Sequence, residues 1–431
     1  MRRYVLTFLY IGGGVSALVL VLFFVGVFEP MTEWLRSKWV SQGLLVEDEM
    51  VRMKWIEGLV IISLAAGVSW CVIDVTNPSQ KVLVIFCSVL LVLGFSPTLA
   101  LHGVLFDPFS SLAAVALSAA ASFVFAGTEK GMRKRVLETL IGRRVSHRTF
   151  NELLEADEPP DFGGVSREVT VVTCRLFNHE ELQAKLKPSD LVKMSNLFLR
   201  SVSTFLTGRG AYLDESGPEL VRGYFGMLKP SESHAFHACR AALELRSRLK
   251  NLSKECETRW FQGLTYGVGI SSGPMTIGVY GADEHFFFSG IGAETDYSRR
   301  LSHANDRYGS DLLIGPHTYH LVKSEFEVRP MEMFFDPAAN LMTEIYQLLA
   351  TKEAFGEVER ERRDLFWQGV IFLREERFEE ALDHLSRARN PAGEDAPLDF
   401  FIERAQSGVA DKGVEGEAEA PGKHARLINL M

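Results

Sequence analysis

Paired cysteines are absent from this chain. Its five cysteines, at 71, 87, 174, 239 and 256, form no CxxC pair. Two lie in long apolar runs and one in a β-like run, so they read as buried free thiols of a reducing compartment, not as a disulfide framework or a zinc site. Positive charge is also short. Lys and Arg total 46 against 55 Asp and Glu, a net charge of -9, which argues against a general nucleic-acid binder. There is no Walker A loop and no Ser-His-Asp elbow. The glycines of GVGISSG run G-x-G-x-x-x-G, one residue off the dinucleotide fingerprint, and exclude a nicotinamide site. His234, His237 and Cys239 fall at i, i+3 and i+5 of one helical stretch. That spacing does not put all three on one face, so they read as packing residues, not metal ligands.

Long apolar runs are what the chain does have. At 431 residues it has room for two or three domains. Residues 1–127 hold most of its long hydrophobic stretches: 4–28, 56–75, 82–101 and 109–126. Each is long enough to cross ~30 Å of hydrocarbon, and a soluble core helix rarely stays apolar on all faces for so long. The last run is rich in Ala and Ser, the composition of a helix that packs closely against others in lipid. Lys130, Arg133, Lys134, Arg135, Arg143 and Arg144 follow it, and Arg2 and Arg3 precede the first. Basic flanks stay cytoplasmic. Four spans therefore place both ends inside and the 29–54 loop outside, although Arg36, Lys38, Arg52 and Lys54 lie in that loop among Glu33, Glu47, Asp48 and Glu49. The expected location is the inner membrane, multi-pass.

Residues 128–166 read as a stem. Leu137, Leu140 and Ile141, then Phe150, Leu153 and Leu154, recur at helical spacing over 130–156. Ser146 is a candidate N-cap, and Glu158, Pro159 and Pro160 end the helix. The stem either pairs with its copy in a dimer or packs on its own domain. Next, Val169–Cys174 is β-branched and apolar, the composition of a buried strand. Lys187–Phe205 is an amphipathic helix. Leu213–Gly226 is a hairpin with a Ser216-Gly217-Pro218 turn, and His234–Leu249 is a helix. Tyr266–Ser272 and Thr276–Gly281 are further strands, and SDLLIG at 310–315 completes the domain.

In that order and spacing, EVTVVTC, AYLDESGPELVRGYFG, HAFHACRAALEL and GIGAETDYSRRL resemble the catalytic domain of class III nucleotidyl cyclases, the adenylate/guanylate cyclase family. The resemblance implies a ferredoxin-like βαββαβ core over residues 167–350 and a dimer that builds its sites at the interface. It also assigns positions. The two metal aspartates fall on Arg175 and Glu219. The phosphate loop falls on Asn178-His179-Glu180. The base-reading lysine and aspartate fall on Glu215 and Ala293. The ribose asparagine falls on Asp296, and the phosphate arginine is kept as Arg300. Family cyclases hold two cations on paired carboxylates. Magnesium needs hard oxygen ligands, and an arginine has none to give. The expectation is that Arg175 replaces the metal and forms a buried ion pair with Glu219.

Arg360–Gln406 reads as helices, and RDLFWQGVIFLREERFEEALDHLSRARN resembles a tetratricopeptide-like (TPR-like) helix pair within 355–406. One repeat cannot bury its own face, so it docks on the central domain or on a partner. Residues 407–431 read as a disordered tail ending in LINLM. The expected fold is thus α+β: a four-helix transmembrane anchor, a class III cyclase-like domain and a helical appendage. The expected function is a regulatory or dimerising pseudo-cyclase in signalling. It works as a homodimer or as a heterodimer with another cyclase, with ATP or GTP as possible ligands and no cofactor. The alternative is an active adenylate cyclase using Mg or Mn, with Asp214, Glu219 or Asp296 rebuilding a metal site.

Overall fold

The computed structural model describes residues 2–41, 43, 51–75, 77–156, 160–282, 285–336, 341–391 and 393–414. It divides into two units. One comprises residues 1–139 and 150–159, the other residues 140–149 and 160–431.

The first unit is helical. The helices α1 (Arg2–Val25), α3 (Lys54–Asp74), α4 (Pro78–Ala100) and α5 (Pro108–Ala126) are each long and apolar enough to cross a membrane. Val19, Phe23, Ile61, Ala65 and Ala114 pack together between α1, α3 and α5. Val68, Val72, Val115 and Ala119 continue that seam. Small residues set the spacing: a Cβ on Gly12 would stand 3.0 Å from Ala66 Cα. Residues 29–54, expected as a loop, contain a helix instead, α2 (Glu29–Ser41). Its Trp39 is buried with Ala100 and Leu105, and that packing orders the segment.

The stem, expected as helix over 130–156 with Ser146 as an N-cap within it, is interrupted just before that cap. It breaks into α6 (Glu129–Leu140), a 3₁₀ turn at Gly142–Arg144, and α7 (His147–Glu155). Gly142 takes φ 43°, a left-handed value that ends a helix. Ser146 caps the restart, its Oγ accepting from the Thr149 N–H at 3.1 Å. Arg133 donates to the Leu153 carbonyl at 3.0 Å and ties the two helices together. The expected stop at Glu158 and Pro159 lies outside the described residues.

The second unit is built on one mixed sheet. Along the chain it runs β1 (Val165–Leu176), α8 (His179–Lys185), α9 (Pro188–Gly208), β2 (Tyr212–Ser216), β3 (Leu220–Phe225), α10 (His234–Trp260), β4 (Tyr266–Ala282), β5 (His285–Ile291), α11 (Ala293–Tyr308), β6 (Leu312–Ile314), α12 (Pro316–Val322), β7 (Phe326–Asp336) and β8 (Leu341–Thr351). The strand order is β2-β3-β1-β4-β6-β8-β7, with β5 paired to β4. One face of the sheet is covered by α9 and α10, whose Phe198, Val202, Leu245 and Leu249 are fully buried against Val172, Val221 and Val268.

The two strands expected at 266–272 and 276–281 are one. The register with β1 runs through Gly273 and Pro274 without a break. Pro274 falls between the residues of β4 paired with β6 and those paired with β5, a place where a missing N–H is tolerated. The glycines of this strand have a packing role. A Cβ on Gly269 would run into the Ser298 carbonyl and the Ser302 N–H, because α11 lies directly on β4.

The appendage consists of α13 (Glu357–Arg374), α14 (Phe378–Arg387) and α15 (Ala396–Val414). Its Phe366, Val370, Leu385, Leu398 and Phe401 share one core with Leu301, Tyr308, Leu313 and Ile345. The helices therefore dock on the central domain. Ion pairs with at least one largely buried partner fasten them: Arg329 to Asp395 at 2.6 Å, Arg363 to Glu327 at 2.6 Å and Arg404 to Glu332 at 2.7 Å. The expected tail at 407–431 is corrected at its start, because α15 continues to Val414 with Ala405 buried in the same core. The rest of it, with LINLM, lies outside the described residues.

Candidate functional site

The expected metal position lies where β1 ends. Arg175 pairs in register with Leu220 of β3 on one side and Gly267 of β4 on the other. The Leu176 N–H donates to the Glu219 carbonyl at 2.8 Å, which brings Glu219 beside the strand end. The Arg175 guanidinium approaches the Glu219 carboxylate to 3.9 Å, and the side chains are 32% and 44% exposed. This is an open ion pair, not the buried one expected from the sequence. Both residues sit at the rim of the sheet, where water competes for the charge.

Asp214, considered as a replacement metal ligand, is already in use. It accepts from Arg222 Nε at 3.1 Å and Nη2 at 2.9 Å, from the Tyr224 hydroxyl at 3.1 Å and from the Ser289 hydroxyl. Arg222 also meets Glu215 at 2.9 Å. Burial works against the Arg222 charge, but Tyr224, Asp214 and Glu215 outweigh it and hold the guanidinium pKa above its usual value. Burial likewise pushes the Tyr224 phenol up. Sequence reading missed Arg222, Tyr224 and Ser289. The signal was there for the first two: they lie two apart on β3, hence on one face, and Arg222 stands opposite Glu215 in the hairpin register.

The remaining positions separate. Asn178 starts α8, yet its amide donates to the Gly263 carbonyl at 2.8 Å and accepts from the Thr265 N–H at 3.1 Å. It staples two loops together. Ala293 opens α11. One turn on, Asp296 accepts from Arg300 Nε at 2.8 Å and from Arg299 at 3.1 Å. All three side chains are about half exposed. Arg300, the residue kept from the family pattern, is thus engaged by its own helix.

Glu215 and Asp296 line one cleft of about 430 Å³ with Arg222, Arg299, Thr295 and Gly290–Gly292. Its charges neutralise one another in pairs. A polyanionic triphosphate would have to pull each arginine from a carboxylate already in contact with it. Nor do the residues at the strand end fit two divalent cations: among the described residues Glu219 is the one carboxylate paired with Arg175, and a guanidinium has no lone pair to offer. Among the described residues no three His, Cys, Asp or Glu side chains converge as a metal site.

No family model matches the chain. Segments of it do match curated proteins. It is similar to adenylate cyclase 1 of Rhizobium meliloti, 21% identical over 205 residues, covering 47% of this chain and 31% of that one. It is also similar to the terminal-differentiation-specific adenylate cyclase of Dictyostelium discoideum, 20% identical over 249 residues, covering 56% of this chain and 11% of that one. The central domain is related to the adenylate cyclases. A protein of Mycobacterium tuberculosis with no described role matches at 26% over 172 residues, 40% of this chain and 30% of that one. The chain therefore spans about a third or less of the length of these relatives. Among solved structures, an adenylyl cyclase of P. aeruginosa aligns at 23% identity and TM-score 0.41, covering 45% of this chain and 99% of that one. A dimeric guanylyl cyclase domain from Blastocladiella emersonii aligns at 21% and 0.37, covering 44% and 99%.

Proposed function

We propose that this protein is a membrane-anchored relative of the cyclases that acts by association: a regulatory or dimerising pseudo-cyclase of nucleotide signalling. Its anchor lies in the inner membrane and the cyclase-like domain faces the cytoplasm. The observation that carries the reading is Arg175 at the end of β1, 3.9 Å from Glu219. A permanent cation stands where a catalytic cation would, and the neighbouring carboxylate is turned to it. The self-neutralised cleft supports the same reading. Partnership follows from the family's habit of assembling sites between two domains, so the expected partner is a second copy of this chain or an intact cyclase.

The test uses the full chain in lipid nanodiscs with ATP and then GTP, each in magnesium and in manganese. The expected outcome is no cyclic nucleotide from the wild type in any combination, with light scattering reporting a dimer. Product that disappears in Glu219→Ala would overturn the reading and make Glu219 part of a rebuilt metal centre.

A further inference from the structure

The helix α2 lies outside the cyclase-like domain and is too short to be a span. Its 13 residues reach about 20 Å at 1.5 Å each, against ~30 Å of hydrocarbon. The chain enters it from α1 through a tight turn at Gly26, whose φ of 88° is a left-handed value. Both ends of α2 are fixed to the bundle. At its start Glu29 meets Arg52 at 2.7 Å and Lys54 at 3.1 Å. Arg52 also meets Glu57 at 3.3 Å, and Glu57 accepts from the Asp107 N–H at 3.3 Å, so one network joins α2, α3 and the start of α5. Towards its end Trp39 is buried with Ala100 and Leu105, and Leu35 packs beside it. With the buried Thr32 these residues form one inward stripe at i, i+3 and i+7.

A second apolar stripe on α2 faces away from the bundle. Met31 is 49% exposed and Trp34, one turn on, is 57% exposed. They continue a larger exposed apolar surface at the same end: Phe24 and Val25 where α1 ends, Val27 in the turn, Leu101 just past α4 and Trp55 at the start of α3. On helices long and apolar enough to cross a membrane, that surface is the one lipid covers. We propose that α2 is an interfacial helix, with Met31 and Trp34 set into the boundary between lipid headgroups and acyl chains. The occupant of this face is lipid because the face runs without a break into the surfaces of α1, α3 and α4. Side-chain chemistry agrees. An indole has an apolar ring and one N–H donor, which suits that boundary. Three of the six tryptophans, Trp34, Trp39 and Trp55, gather at this end. Lys38 is one turn beyond Trp34, and its long stem keeps the ammonium among the headgroups. Glu33 and Ser37, exposed on the adjoining side, stay in water.

The inference rests on the reading of the apolar helices as a membrane anchor, and the test separates the two. The full chain is placed in nanodiscs whose lipids carry bromine on the acyl chains, either near the headgroup or near the chain end. Subtracting the emission of Trp34→Phe from that of the wild type isolates Trp34. The same subtraction with Trp70→Phe isolates Trp70, which is exposed on the span α3. The expected result is that Trp34 loses most of its intensity to bromine near the headgroup, less to bromine near the chain end and little to acrylamide in the water. Quenching by acrylamide alone would place α2 in water. Protection from all three quenchers would place protein over it, a second copy or another partner. Either result overturns the proposal while lipid quenching of Trp70 leaves the anchor standing. Loss of lipid quenching at Trp70 as well would remove the anchor, and the proposal with it. Should Trp34→Phe not fold, Met31→Trp decides: its added emission is quenched from the headgroup level if α2 is interfacial, and the absence of that quenching refutes the placement.

Discussion

Two arginine–carboxylate pairs on neighbouring strands differ mainly in burial, and that difference sets their worth. Arg222 and Asp214 are 14% and 10% exposed and hydrogen-bonded twice, whereas Arg175 and Glu219 are open and meet at 3.9 Å. Removing one partner of a buried pair leaves the other charge stranded, so Arg222→Ala is expected to cost about 3–5 kcal/mol. Arg175→Ala is expected to cost below about 1 kcal/mol. Urea unfolding of both variants checks this, and equal losses would mean that the Arg175 pair is closed in solution. His234 supplies a second prediction. It is buried, with Nδ1 2.7 Å from the Thr170 hydroxyl, which in turn meets Ser272 at 2.7 Å. Burial lowers its pKa, Glu168 opposes that and His317 adds to it. The unfolded chain therefore binds a proton more readily than the folded one. Stability is full above about pH 6.5 and falls as the pH drops below it. Urea midpoints between pH 5 and 8 should show this slope, and His234→Gln should flatten it. An identical slope in the variant would assign the effect to other groups.

At the level of elements, the glycines of β4 decide how the site is assembled. Gly267 and Gly269 let α11 lie on the strand, and α11 in turn carries Thr295, Asp296 and Arg299 to the cleft. Gly269→Ala must push the helix off its seat. Overpacking of this kind costs roughly 1–3 kcal/mol or more where backbone is the obstacle. The expected outcome is a lowered unfolding midpoint and increased hydrogen exchange along α11, and an unchanged midpoint would contradict the packing. Much of this level was legible in the sequence. The β-branched run at 169–174 and the helical spacing at 187–205 both mark elements that exist, because periodicity follows from which side faces the core. The break at Gly142 and the fusion of two strands across Pro274 were not legible. Each depends on which partner lies alongside, and local propensity does not specify that.

For the molecule as a whole, the appendage is part of the cyclase-like unit. Phe366, Leu385 and Phe401 complete a core begun by Tyr308 and Leu313. Asp395 sits against Arg329: burial pushes its carboxyl up, and the bidentate guanidinium overcomes this and holds it below the usual range. Its contribution is therefore present above the unfolded value of about 3.9 and is lost only as the pH falls through the lower folded value. Truncation after Phe355 would expose the shared core, and the expected result is an aggregating or unfolded product. A soluble, well-folded truncation would instead make the helices a separate module. The open pair at Arg175, the occupied Asp214 and the neutral cleft together favour a role in assembly over turnover. Activity assays and dimer measurements on the full chain test that role.

The sequence by itself determined the apolar helices and, in the central domain, such elements as the strand at 169–174, the helix at 187–205 and the hairpin at 213–226. These depend on composition, period and spacing along the chain. Only the tertiary structure decided what individual charged residues do. Asp214 draws its partners from 8, 10 and 75 residues away, and Asp107 meets Glu57 from 50 residues away. A charge is harmless or costly according to its neighbours and its distance from water, and folding alone sets both.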